Sequence, residues 1–310
     1  MKIFIAGASG AIGRSLVPML LGEGHSVVGL TRSAERAAAL ERTGATAVVG
    51  NVFDAAGLAA LVVQARPDVV IHQLTAFGAT DGDPLEQTNR VRIEGTRHLV
   101  AAAQAAGVRR FIAQSISFIC SPAGDGLTDE DTPLYLNAPP AIRPLADSVA
   151  SLETQVLDAP GMEGIVLRYG WFYGPGTNYD PQGVIPRAIR KGRMALVGEG
   201  AGNYSFISID DAARATVLAL ARGKPGIYNI VDDAPARLAD WLPHAAQLLD
   251  APPLPPSMDE SVARQKLGDM MVYIMNEQRG ASNAKARREL GWAPRTPSWR
   301  EGFAALYAVA

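Results

Sequence analysis

Along the first 120 residues, short apolar runs alternate with longer stretches whose apolar side chains recur every three or four positions. The runs at 2–6, 26–30, 45–49, 68–71 and 109–114 have strand length, and 11–22, 33–42, 54–65 and 85–106 between them have helical spacing. Gly22, Gly44 and Gly107 close three of the helical stretches, a position where glycine ends a helix at little cost. Continuous apolar strands separated by helices predict an α/β fold built on a parallel sheet buried on both faces.

After residue 120 the texture changes. Residues 121–144 hold five of the 21 prolines and read as a long excursion. A helix at 146–158 and strands at 164–168 and 226–231 return to the sheet. Between them lie an aromatic, glycine-rich loop (169–183) and helices at 184–191 and after Asp210. The pattern predicts a sheet domain over 1–168 with later returns at about 205–231. A smaller, interleaved C-terminal substrate lobe occupies most of 169–310.

The junction of the first strand and first helix carries the chemistry. Gly7-Ala8-Ser9-Gly10-Ala11-Ile12-Gly13 places three glycines at three-residue spacing between a buried strand and a helix start. Glycine lets the chain turn sharply and lets a phosphate approach without a Cβ in the way, and the helix N-terminus offers free N–H groups. In this context the motif predicts a Rossmann-type, doubly wound dinucleotide-binding fold.

Composition narrows the class. A formal charge of −2 with only five lysines leaves no electrostatic footprint for nucleic acid or an anionic membrane. No apolar run is long enough to span a bilayer. Cys120 is the one cysteine, which points to a reducing, cytoplasmic setting and to a small buried side chain. The four histidines show no ligand spacing, so no metal site is expected.

Taken together, the motifs resemble the extended and atypical short-chain dehydrogenase/reductases, the NAD(P)-dependent epimerase/dehydratase family. The glycine turn, Asp68-Val69-Val70-Ile71-His72, Asn89 with Gly95-Thr96, Arg168-Tyr169 and Tyr173-Gly174-Pro175-Gly176 carry the likeness. Phe206-Ile207-Ser208-Ile209-Asp210-Asp211, Tyr228-Asn229-Ile230 and Glu289-Leu290-Gly291-Trp292 with Pro294 extend it over nearly the whole chain.

An NAD site carries a carboxylate on the ribose 2′-hydroxyl at the end of the second strand. Here that strand ends Thr31-Arg32-Ser33, and Arg32 offers a guanidinium suited to a 2′-phosphate, with hydroxyls on either side. NADP is therefore the expected cofactor, with NAD still possible. The resemblance adds Asn51 and Val52 at the adenine edge and Leu74, Thr75 and Ala76 beneath the middle of the cofactor. It also implies a homodimer through the helices at 85–106 and 146–158.

Redox members of the family use a tyrosine followed four residues later by lysine as a proton relay. None of the eight tyrosines has that partner. The family register, set by Ala150-Ser151-Leu152-Glu153, puts Leu145 and Val149 at the two positions and Ile116 at that of the usual serine. Neither Leu145 nor Val149 exchanges protons. Ser115, Ser117 and Tyr169 are the substitute catalytic candidates. Trp171, Phe172, Tyr173, Tyr179 and Tyr204 are either an aromatic substrate pocket or the core between the lobes. Tyr204 stands where nucleotide-sugar members carry a diphosphate-binding arginine, which argues against a nucleotide-sugar epimerase.

The sequence thus points to an NADP(H)-dependent atypical reductase of a small apolar or aromatic carbonyl or enone compound. Two other readings stay open: a non-catalytic dinucleotide sensor, and a non-redox lyase or isomerase on the same scaffold.

Overall fold

The computed structural model describes residues 1–76 and 83–308. Its strands are β1 (Lys2–Ala6), β2 (Ser26–Thr31), β3 (Thr46–Val49), β4 (Val69–His72), β5 (Arg110–Ile116) and β6 (Glu163–Tyr169). They are followed by β7 (Trp171–Tyr173), β8 (Asn203–Tyr204), β9 (Phe206–Ser208), β10 (Gly226–Ile230) and β11 (Ala236–Arg237). Seven of them form one sheet in the order β10-β6-β5-β4-β1-β2-β3, and every pairing is parallel. The order reverses at β1 and β4, which opens a crevice at their carboxyl ends.

Alternation along β1 explains its unbroken apolar run. Ile3 and Ile5 enter the core on one face, with α1 (Ala11–Gly22), while Phe4 and Ala6 enter the other, with α3 (Ala55–Ala65). The helix expected at 85–106 consists of α4 (Pro84–Arg90) and α5 (Thr96–Ala105), joined by a π-helical turn over Val91–Gly95. The helix expected at 146–158 starts earlier, as α6 (Arg143–Leu157), because Pro144 sits in its first turn, where no N–H is needed.

The proline-rich excursion is held down from the far end of the chain. Arg279 donates to the carbonyls of Ala123, Asp125 and Gly126 at 2.6, 2.5 and 3.1 Å. The Glu130 carboxylate accepts the Asn229 N–H at 2.7 Å. A third core, rich in aromatic rings, fills the C-terminal lobe: Tyr173, Tyr179, Tyr204, Phe206, Trp241, Trp299, Phe303 and Tyr307 are all buried in it. Among the described residues no helix is long and apolar enough to cross a membrane, and no group of three or more His, Cys, Asp or Glu is placed to hold a metal.

Candidate active site

A cavity of about 730 Å³ opens at the carboxyl ends of β1 and β5. At one end it is made of backbone. Gly7 has φ +97°, and a Cβ there would lie 2.6 Å from the Gln73 carbonyl oxygen; a Cβ on Gly13 would lie 2.2 Å from that of Ala8. Gly10 precedes α1 with no side-chain cap, and the first turn of α1 contains no acidic residue. Its N–H groups are thus left for a ligand, as a pyrophosphate cradle requires. Ser9, Gly10, Ala11 and Gly13 line the cavity, whereas Ile12 packs into the core below.

The residues expected to read the adenosine end divide. Arg32 lines the cavity and is joined there by Arg36 and Arg14. The flanking hydroxyls accept from the backbone: Thr31 Oγ1 takes the Ser33 N–H at 3.5 Å, and Ser33 Oγ caps α2 (Ala34–Glu41) by accepting the Arg36 N–H at 3.3 Å. Asn51 is exposed, with its carbonyl accepting the Phe53 N–H at 3.0 Å. Val52 is buried beneath Gly95. Of the stretch after β4, Thr75 reaches the cavity, Leu74 is half-buried, and the buried Ala76 donates its N–H to Thr88 Oγ1 at 3.0 Å.

The opposite end is apolar. Gln114, Ile116 and Phe118 face the cavity in strand alternation, and Ser115 and Ser117 fall between them, 1% and 2% exposed. Neither serine is in the cavity wall. Ser115 Oγ donates to Glu153 Oε1 at 2.8 Å, and Arg168 grips the same carboxylate through Nε and Nη2 at 2.8 and 2.7 Å. This is a closed, buried, charge-balanced network.

Tyr169 is fully buried in the sheet core, its hydroxyl 2.6 Å from Thr216 Oγ1, and burial raises its pKa to about 12. These contacts hold the Ser115 hydroxyl and the Tyr169 phenol in buried hydrogen bonds outside the cavity wall. Ile116, Leu145 and Val149 meet in one buried apolar cluster with Ile119, Ile142 and Tyr273. Where the family's relay is expected, the chain is hydrocarbon.

The aromatic residues also divide. Trp171, Phe172 and Tyr179 line the cavity, and Trp171 stacks on Phe118 with centroids 4.1 Å apart. Tyr173 and Tyr204 lie in the lobe core instead, Tyr173 edge-on to Phe303 and Tyr204 edge-on to Trp241. No carboxylate appears among the described lining residues.

No motif pointed to Arg92, a buried arginine in the cavity wall. Its signal was present: Thr88, Arg92, Gly95, Thr96 and Leu99 share the buried stripe of one helical segment. A charged side chain on that stripe requires a reason.

The sheet order, the glycine cradle at β1 and the crevice beside it define a Rossmann-type nucleotide-binding protein. Residues 3–231 match the NAD dependent epimerase/dehydratase family, and the chain belongs to that family. It is 44% identical over 307 residues to the 3-diazoavenalumate denitrifying reductase of a Streptomyces species, spanning 98% of this chain and 99% of that one. It is 29% identical over 334 residues to a 4-hydroxy-2-methyl-3-oxo-4-farnesyl-3,4-dihydroquinoline-1-oxide ketoreductase of Stigmatella aurantiaca, covering 99% and 96% of the two chains. In fold it resembles the UDP-glucose 4-epimerase of Thermotoga maritima, with a TM-score of 0.79 at 21% identity over 99% of this chain and 98% of that one.

Proposed function

We propose that the protein is an NADP(H)-dependent reductase of small aromatic compounds whose reacting group accepts hydride without a proton relay. The observation that carries this reading is the apolar cluster of Ile116, Leu145 and Val149 beside an aromatic cavity with no carboxylate among its described lining residues. In this reading the backbone of Ser9 to Gly13 holds the pyrophosphate, Arg32 and Arg36 hold the 2′-phosphate, and Thr75 lies beneath the middle of the cofactor. When bound, the reduced cofactor supplies a hydride. Trp171, Phe118 and Phe172 offer flat apolar walls that orient an aromatic ring and exclude water.

A ketone or enone needs a proton as well as the hydride, and here the usual donor is missing. An arene diazonium ion does not. Hydride addition to Ar–N₂⁺ gives neutral Ar–N=NH, whose loss of N₂ leaves Ar–H, so one hydride balances the reaction. The 44% identical relative is named for a diazo substrate and for denitrification, which supports a diazo-bearing aromatic substrate here. The carbonyl or enone substrate expected from sequence is the competing class.

Purified protein mixed with NADPH and a diazobenzoate is expected to oxidise the cofactor and release N₂ and benzoate, read by absorbance and mass spectrometry. An aromatic aldehyde and an enone in parallel should turn over far more slowly. Binding of NADPH without oxidation by any of the three would overturn the reductase in favour of a dinucleotide sensor. Arg32→Ala should weaken NADPH about tenfold, on the order of 1.4 kcal/mol, and leave NADH little changed. Equal losses for both cofactors would refute the 2′-phosphate role.

A further inference from the structure

Arg92 is a buried charge in the cavity wall to which the reading above gives no role. It is 5% exposed and lines the cavity beside Gln114, Ile116 and Phe118, at the apolar end. Among the described residues its one hydrogen bond runs from Nη1 to Asn89 Oδ1 at 3.2 Å. That oxygen also accepts from Ser148 Oγ at 2.8 Å, so the acceptor that orients the guanidinium is itself fixed from α6. The Nε and Nη2 donors have no described partner.

Among the described residues no carboxylate pairs with Arg92. Glu153 is the carboxylate that acts on Arg92, but both of its oxygens are already held by Arg168. Glu153 is thus committed to Arg168, and among the described residues the Arg92 guanidinium is left without an ion pair beside the cavity. Burial lowers the Arg92 pKa to about 10, with Glu153 acting in the opposite direction, so the group stays protonated at neutral pH. An uncompensated buried charge is costly, and removing that cost requires an anion. The π-helical turn over Val91–Gly95 is an irregularity in an otherwise α-helical rod, and Arg92 lies within it. Such turns are often retained at functional positions.

We propose that Arg92 is a substrate-anchoring residue that binds an anionic group, a carboxylate or a ring oxide, on the aromatic ligand. The aromatic character of that ligand rests on the reductase reading above; the need for an anion rests on the buried, unpaired guanidinium in the cavity wall. The glycine cradle at the other end of the cavity already provides for the cofactor's pyrophosphate, and ribose hydroxyls would leave the arginine's charge uncompensated. The fork of Nε and Nη2 matches two carboxylate oxygens. A ring bearing a diazonium cation would be repelled here unless it also carried such an anion. Arg92 would thus restrict the enzyme to acidic or zwitterionic aromatic substrates.

The test is ligand binding to the whole protein saturated with NADP⁺, read by calorimetry with trans-cinnamate and methyl cinnamate. The wild type is expected to bind the acid at least tenfold more tightly than the ester. Arg92→Met should lose that preference through a tenfold or greater loss for the acid, with the ester and NADP⁺ changed less than twofold. Arg92→Lys, which keeps the charge without the fork, should fall between them. A wild type that does not prefer the acid overturns the proposal. So does an equal loss of acid and ester in Arg92→Met, or a loss of NADP⁺ matching that of the acid. If Arg92→Met does not fold, the wild-type preference and Arg92→Lys decide. No turnover is required, so an absence of hydride transfer would sink the reductase reading while leaving this result to stand or fall by itself.

Discussion

The two ends of the cavity are built on different principles. At the carboxyl end of β1 the wall is backbone: Gly7, Gly10 and Gly13 bring the chain close, and α1 begins without a side-chain cap. At the carboxyl end of β5 the wall is side chain: Ser115 is turned away onto Glu153, Ile116, Leu145 and Val149 occupy the relay positions, and Gln114 and Arg92 are the polar groups that face the cavity. A backbone-built site tolerates little change, because its geometry is also that of the fold. A side-chain-built site can exchange its chemistry while the strand and helix that carry it stay in place. That difference explains how one chain combines an intact cofactor motif with a hydrocarbon cluster at the relay positions.

The strongest way to break this contrast is Gly13→Ala. The added Cβ would lie 2.2 Å from the Ala8 carbonyl oxygen, a backbone atom, so the turn itself must move. A cost of about 4 kcal/mol is expected, with cofactor binding lost in calorimetry. A stable variant that binds NADPH normally would show that the cradle is not the constraint.

Glu153→Gln probes the other end. It removes the carboxylate that Arg168 grips and that acts on Arg92, and a loss of about 3 kcal/mol is expected in denaturant unfolding. A loss under about 1 kcal/mol would mean that water or another group carries the charge.

Tyr169→Phe should have the smallest effect. It removes one buried hydroxyl pair, at 2.6 Å from Thr216, for about 1 kcal/mol, while kcat stays within twofold because the phenol lies in the sheet core. A tenfold fall in kcat at unchanged KM would return Tyr169 to the reacting centre.

Much of the fold was legible before the structure. The seven sheet strands and the helices between them lie within a few residues of their expected bounds, since apolar period and glycine punctuation are local signals. The site was less legible, and the reason is directional. Spacing places a residue on an element, but it does not say which neighbours that face meets. Ser115 and Ile116 are adjacent in sequence, yet one belongs to a buried ion network and the other to the cavity wall. Tyr173 and Tyr179 are six residues apart and both pack against Phe303, far along the chain, yet only Tyr179 also reaches the cavity.

The sequence alone determined the sheet, the cofactor turn and the absence of a tyrosine–lysine pair, because each is set by residues close together in the chain. Only the tertiary structure decided which side chains border the cavity, and that a buried arginine there has no ion pair among the described residues. Glu153, Arg168 and Arg92 come from three separate elements, and a charge balance exists only once the fold has brought them together.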